Sequence, residues 1–417
     1  MKILVLTPYL PHRRIGHGGG ASVRDLVTWL AKKHEVLVAA LVRPGEENLI
    51  GEVEELGASV APMKFLDTRA EGPARLELMA GRTLAWARSL RSGYPWYVEK
   101  YWSPDLSRQV LSIAEEFAPD AIQIEYLQLA LLGRDLRRWR DNRKGSPVRL
   151  VLNSHELGSL PRERRAARAT NPLTAHMARR EARAWRHLQI DVTGWVDRTL
   201  CVTPEDHALY LEMGGKNLVT VPLGTDLERI AADWSPGSGH RFLFVGSFNH
   251  RPNRLAAEFL VEKMWDEVIR ELPGSRLILA GRGSRAFLRQ RGGQINWAEM
   301  GIDAVGFVDD LTELFRGSHL FVAPLPEGGG IKIKILEAMA RGIPVVTTPV
   351  GAEGITGPED DAVVIAPCDD RFAAAVLAAA HDTAGSRSRA VRARKLMEDR
   401  FGWAAIIDKL TAVYSGD

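Results

Sequence analysis

The chain has 417 residues, of which 45% are apolar and 26% charged, the composition of a globular protein with two or three domains. Two cysteines, Cys201 and Cys368, exclude a disulfide framework and a cysteine-built zinc site, and no apolar run approaches the roughly 20 residues of a membrane span. The net charge of +3 is uneven: residues 1–225 hold 32 Lys and Arg against 26 Asp and Glu, the remainder 23 against 26. The excess gathers in 134–144 and 162–186, stretches suited to an acidic acceptor, to anionic lipid or simply to a solvated helix face. The chain opens MKILVLTPYLPHRR, a strand rather than a signal peptide. A cytoplasmic location is therefore expected, with peripheral contact at the inner face of the membrane through the basic surface and no nucleic-acid partner.

Residues 2–7 (KILVLT) read as a buried strand, 16–20 (GHGGG) as a glycine loop, 21–33 as a helix carrying Val23, Leu26, Val27 and Leu30, and 36–42 as the next strand. This is a βαβ unit of the doubly wound kind, without the G-x-G-x-x-G that would argue for a dinucleotide. Residues 43–118 alternate short strand and helix patterns. Residues 120–126 (DAIQIEY) and 148–153 (VRLVLN) are further strands, and the second runs into Ser154-His155-Glu156. A polar cluster at the carboxyl end of a parallel strand is where α/β folds place their sites, although a lone histidine is more often structural. A basic helical region follows at 162–187, interrupted at Asn171-Pro172. The strand 199–202 leads to Thr203-Pro204-Glu205-Asp206, a helix start with acidic residues in its first turn. After 219–226 (VTVPLGTD), the stretch 231–239 (AADWSPGSG) has the composition of a linker.

A second α/β series begins with the strand 242–245 and the loop GSFNHRPN from Gly246 to Asn253. The strand 276–280 precedes Gly281-Arg282-Gly283-Ser284-Arg285-Ala286. That G-x-G-x-x-A lacks an acidic residue at the required spacing and does not argue for a dinucleotide. Asp309-Asp310 is placed to cap a following helix. The strand 319–325 (HLFVAPL) then feeds GGGIKIKILEAMARGIPVVTT, residues 328–348. Its glycines open a helix with Ile331, Ile335, Leu336 and Met339 as apolar positions, and Gly342 ends it. Glycines let backbone N–H groups approach an anion, and the first helical turn has unpaired donors at a positive dipole end. Lys332 and Lys334 are expected in that same turn, where cations are unfavourable unless an anion joins them. A diphosphate there brings an attached ribose within reach of Glu337, whose carboxylate accepts from both hydroxyls. The plain alternative is an ordinary α/β loop with surface lysines.

The run Gly-x-Gly-x-Lys-x-Lys-x-Leu-Glu-Ala-Met-Ala-x-Gly-x-Pro-Val-Val resembles the donor-site motif of the retaining family-4 glycosyltransferases of GT-B fold. The resemblance implies two Rossmann-like α/β/α domains facing across a cleft: an acceptor-binding domain over 1–230 and a nucleotide-sugar donor domain over 240–399. A C-terminal helix, in 400–417, returns to the first domain. It implies that Gly329, Gly330, Ile331, Lys332 and Lys334 hold a diphosphate and Glu337 the ribose. Gly246 lies in the first loop of the donor domain, and Phe307 and Val308 lie near the base. Gly19 and Gly20 come beside the diphosphate, and His155 against the transferred sugar. Tyr94, Trp96 and Tyr97 fall in the region that shapes an acceptor pocket, although such aromatics more often fill a core.

The sequence also departs from the pattern. Gly329 stands where many members carry the first of two glutamates, with Glu327 out of register by two. Ser247 and Pro252 replace an arginine and a lysine, so Arg251 or the Lys332/Lys334 pair must supply that charge. His155, Lys334 and Arg251 are the catalytic candidates. The implied reaction is sugar transfer from a nucleotide sugar to a glycan, lipid-linked or small-molecule acceptor, with retention, needing neither a metal nor a cofactor. A nucleotide-sugar epimerase of the same architecture and a non-catalytic nucleotide-sugar-binding subunit are the rival readings.

Overall fold

In the computed structural model, which describes residues 1–13, 15, 18–67, 71–143, 145, 147–237, 239–292 and 295–416, strands Lys2–Thr7 (β1), Glu35–Val42 (β2), Ser59–Lys64 (β3), Ala121–Glu125 (β4), Arg149–Asn153 (β5), Arg198–Cys201 (β6) and Leu218–Thr220 (β7) form one parallel sheet. Its order is β3-β2-β1-β4-β5-β6-β7. Strands Arg241–Val245 (β8), Arg276–Ala280 (β9), Ile302–Gly306 (β10), Leu320–Ala323 (β11), Val345–Thr347 (β12) and Val364–Ile365 (β13) form a second, ordered β10-β9-β8-β11-β12-β13 and also parallel. These are two Rossmann-like α/β domains, as expected. Helices cover both faces of such sheets, so the central strands read as continuous apolar runs: Ile3, Leu4, Val5 and Leu6 of β1 are fully buried.

Met1–Ile15, Gly19–Pro222 and Ala404–Asp417 belong to the first unit, and Leu223–Trp403 to the second. In the second, the Thr225 N–H donates to the Phe401 carbonyl at 2.8 Å, and a side chain on Gly224 would collide with the Trp403 ring. The stretch 231–239 is fastened to the same unit: the Trp234 indole donates to the Ser318 carbonyl at 2.8 Å, and Arg316 pairs with Asp233 at 3.1 Å. The C-terminal helix, Trp403–Ser415, reaches the first unit's core, where the Tyr414 hydroxyl donates to Gln123.

Local expectations mostly hold, with shifted ends. The basic region divides into helices Leu160–Arg168 and Pro172–Val192, the second capped by Asn171, which accepts from the Leu173 and Thr174 N–H groups. Thr203 caps Pro204–Glu212 in the same way. Residues 43–118 contain a single strand, β3, among the described residues; the rest of their regular structure is helical. Tyr94 and Tyr97 pack into the first core, with the Tyr94 hydroxyl donating to Asp191 at 2.6 Å, whereas Trp96 is exposed. Gly16 and His17 of the glycine loop, and Lys144 of the basic stretch, lie outside the described residues.

Candidate active site

In the second unit, β8 and β11 are neighbours at the point where the strand order reverses. The loop after β8 enters the helix Arg251–Phe259, and the loop after β11 enters Ile333–Ala340. Open α/β sheets bind ligands beyond the carboxyl ends of the strands at this switch. Lys334 leaves the second helix, passes over the Phe244 ring with Nζ at 4.8 Å from its centroid, and donates to Asn253 Oδ1 on the first. Asn253 Nδ2 in turn donates to the Ser247 carbonyl at 2.9 Å. A Cβ on Gly246 would stand 2.8 Å from the Asn253 carboxamide and 3.1 Å from Lys334 Nζ. Gly281, at φ 128°, leaves no room for a side chain against the Gly246 carbonyl. Glycine at 246 thus leaves room for the lysine, and glycine at 281 leaves room for the Gly246 backbone. Burial, reinforced by Lys332, brings the Lys334 pKa down to about 7.

The helix starts at Ile333, two residues later than the glycine pattern predicts, because Gly328 (φ 143°) and Gly330 (φ 62°) keep the chain turning. Lys332 is therefore the N-cap rather than a first-turn residue, and its ammonium folds back onto the Gly330 carbonyl. The Ile331 side chain is buried. Arg251 pairs with Glu327 across the two loops, so its charge is matched within the site. His250 beside them is held below its usual pKa by burial and by Lys334, with Glu327 opposing. Glu337 receives Arg341 at 3.1 Å, one helical turn on. Arg341 also reaches the Thr312 hydroxyl at 3.2 Å. Phe307 is exposed beneath the Arg282 guanidinium, and Val308 is half-buried. Asp310 accepts from the Thr312 N–H at 2.9 Å, which lowers its pKa, but Leu311 is the N-cap of the helix Thr312–Arg316, so neither Asp309 nor Asp310 takes the capping position expected of the pair.

In the first unit the order reverses between β1 and β4. The helix after β1 is Gly18–Ala31, so Gly19 and Gly20 lie inside its first turn rather than in a loop. Close packing explains both residues: a side chain on Gly19 would collide with the Tyr126 hydroxyl, and one on Gly20 with Ile15. That hydroxyl is buried, makes no hydrogen bond among the described residues, and is held well above its usual pKa chiefly by burial. Tyr126 follows β4 and His155 follows β5. Both adopt left-handed backbone, φ 70° and 58°, and their rings stack at 3.7 Å. Two adjacent residues in that sparse region mark stored strain.

His155 Nε2 meets Glu125, a fully buried carboxylate at the end of β4. Glu125 also accepts from Asn153 Nδ2 at 3.2 Å and from Gln123 Nε2, and Gln123 Oε1 accepts from Tyr414. With amide donors on both oxygens, the carboxylate is an acceptor, so His155 Nε2 is the donor of that contact. A chain of side chains thus runs from the C-terminal helix through the sheet to His155. Glu125 was not among the residues singled out from the sequence. The signal was present in DAIQIEY, where Gln123 and Glu125 share one face of an otherwise apolar strand. Asn253, also missed, had no comparable signal. Among the described residues, no cluster of three or more His, Cys, Asp or Glu is arranged to hold a metal ion.

Comparison with known proteins gives a consistent family. Residues 17–224 match the family model described as "Glycosyl transferase 4-like domain", and residues 239–382 the one described as "Glycosyl transferases group 1". The phosphatidyl-myo-inositol mannosyltransferase of Mycolicibacterium smegmatis is 26% identical over 212 residues, 49% of this chain and 53% of that protein. The lipopolysaccharide core biosynthesis mannosyltransferase LpsB of Rhizobium meliloti is 32% identical over 145 residues, 33% of this chain and 40% of that protein. The chain spans about half the length of the curated relatives it matches. Among solved structures, sucrose-phosphate synthase from Thermosynechococcus elongatus superposes with a TM-score of 0.74 at 18% identity, covering 100% of this chain and 99% of that one. HepE of Anabaena in complex with UDP superposes at 0.68 and 14%, covering all of both chains. At such identities the likeness is one of fold.

Proposed function

Because this chain belongs to the GT-B glycosyltransferases, whose models match both of its halves, we propose that it moves a hexose from a nucleoside diphosphate sugar to an acceptor hydroxyl, with retention of anomeric configuration. In that reaction the bond from the anomeric carbon to the diphosphate oxygen breaks and the diphosphate leaves with the electron pair. The acceptor oxygen bonds the same carbon, and its proton passes to the departing diphosphate. The observation that carries the reading is the Lys334 ammonium, held between the two loops at the switch point beside a helix N-terminus. A cation fixed there stabilises charge that develops on a leaving diphosphate. The departure at Ser247 and Pro252 is answered by Lys334 reaching Asn253 in the first turn of the helix that follows β8. Gly329 and Gly330 add backbone donors, and Gly19 and Gly20 belong to the first turn of a helix in the first unit. A thermal-shift panel of nucleoside diphosphates and nucleotide sugars tests this: a selective binder raises the melting temperature by mass action, and no response across the panel overturns the reading. The runner-up, a non-catalytic binding subunit, rests on Gly329 in place of a glutamate; hydrolysis or transfer by purified protein excludes it.

The ammonium groups of Lys332 and Lys334 at the helix start lead us to expect turnover without a divalent metal. Activity in excess chelator should equal that of the untreated protein. Complete loss, restored by magnesium or manganese, would overturn this expectation.

Glu337 is proposed to hold the ribose, exchanging its contact with Arg341 for the two hydroxyls. Glu337→Ala should weaken nucleoside and nucleoside diphosphate by the same factor, about tenfold for one charged hydrogen-bond partner. Calorimetry with both ligands checks this, and an effect confined to the diphosphate would place Glu337 elsewhere.

A further inference from the structure

The helix Pro73–Ser92 stands on the first unit by one edge. Ala85 is its single buried residue among those described, and Ala74, Leu78, Arg88, Ser89 and Ser92 are half-buried. Its attachments lie in the second half: the Ser89 hydroxyl donates to the Tyr94 carbonyl at 2.7 Å, Arg88 pairs with Glu99 at 3.1 Å, and Gly93 closes the end at φ 74°. The opposite face carries Leu76, Met79, Trp86 and Leu90, whose spacing of three, seven and four residues keeps them on one line of an α-helix. They are 70%, 59%, 58% and 54% exposed, and Leu84 on the flank of this line is 60% exposed. Side chains of this size normally line a core, and an outward stripe of them marks an interaction surface.

The edges of the stripe are cationic. Arg75 and Arg82 follow one side and Arg91 the other, and Glu77 is the helix's one acid, leaving Pro73–Ser92 at net +3. This charge selects the partner. A second copy pairing stripe to stripe would set Arg75, Arg82 and Arg91 against the same three arginines, a repulsive arrangement. An anionic lipid surface takes apolar side chains below the headgroups while the flanking guanidinium groups meet phosphate. We propose that Pro73–Ser92 lies in the interface of an anionic membrane. The surface differs from the basic stretches that the composition brings forward, in which Arg140 pairs with Asp197 at 2.6 Å, Arg162 with Glu181 at 3.1 Å and Arg186 with Glu163 at 2.7 Å. No residue of the candidate active site is involved, and the proposal does not rest on the transfer reaction.

The test is flotation of the full chain with vesicles of phosphatidylglycerol and phosphatidylcholine, against vesicles of phosphatidylcholine alone. The parent should bind the anionic vesicles, less so as salt rises, and leave the neutral ones largely free. Leu76→Ser/Met79→Ser/Leu90→Ser should weaken that binding on the order of tenfold or more. Arg75→Glu/Arg82→Glu should do the same while leaving the apolar line intact, and it answers the question if the triple variant fails to fold. A parent that ignores anionic vesicles, or variants that bind as the parent does, overturns the proposal. So does sedimentation showing that the parent self-associates through this stripe and the triple variant does not.

Discussion

Lys334→Met is expected to weaken nucleoside diphosphate binding roughly ten- to a hundredfold, the equivalent of ~1.5–3 kcal/mol for a lost charge-assisted contact, while leaving nucleoside binding unchanged. The same substitution should not lower the melting temperature. A buried ammonium whose pKa has fallen to about 7 is held against its own solvation. The sign of the pH dependence follows. Between about pH 7 and the unfolded lysine value near ~10.4 the unfolded chain binds a proton that the folded chain lacks, so the Lys334 contribution makes stability rise with pH across that window. In Lys334→Met that slope disappears. Binding behaves in the opposite sense: below pH 7 the cation is already present, and above it diphosphate binding must take up a proton, so affinity falls by up to about tenfold per pH unit. The ligand's own last ionisation, near pH ~6, is common to parent and variant and cancels in their comparison. Calorimetry of both proteins from pH 6 to pH 9 (an approximate range set by these two pKa values) reads the difference. If Lys334→Met binds diphosphate as tightly as the parent, the helix-start site is not a donor site.

His155→Ala should lower turnover by about two orders of magnitude or more with nucleoside diphosphate affinity unchanged, because no diphosphate ligand is proposed on the strand end that carries it. The buried chain of side chains behind it adds a second arm. Glu125 donates nothing and touches His155 Nε2, so it acts on the reaction through the histidine's position. Glu125→Gln should reduce kcat by roughly ten- to a hundredfold, with KM for the nucleotide sugar little changed, and Glu125→Asp should recover part of the loss. Tyr414→Phe removes the far end of the chain, from the C-terminal helix, and should give a smaller loss of the same kind. A purely structural role for Glu125 instead predicts a lower melting temperature with normal kcat in the folded fraction. That result would separate Glu125 from the chemistry and leave His155→Ala as the test of the histidine.

The two-domain α/β architecture was legible because its signals are local. Buried parallel strands announce themselves as apolar runs such as KILVLT and HLFVAPL, and glycine marks turns that only it can make. The helix-start site was legible for the same reason: the glycine loop, Lys332, Lys334 and Glu337 lie within one strand–loop–helix segment. Tertiary structure decided what each of them touches. Lys334 finds its partner Asn253 81 residues away, His155 meets Glu125 across 30, and Tyr414 reaches Gln123 across 291. Those pairings are set by strand order and by the path of the C-terminal helix, which periodicity does not encode. The glycines at 19 and 20 show the same division. The sequence marks both positions, but only packing shows that Tyr126 and Ile15 require them to be bare. In Pro73–Ser92 the sequence contains an apolar line with arginines beside it, and any helix bearing such a line would ordinarily bury it. The fold turns that line outward because the half-buried opposite edge, around Ala85, is the one that fits the first unit.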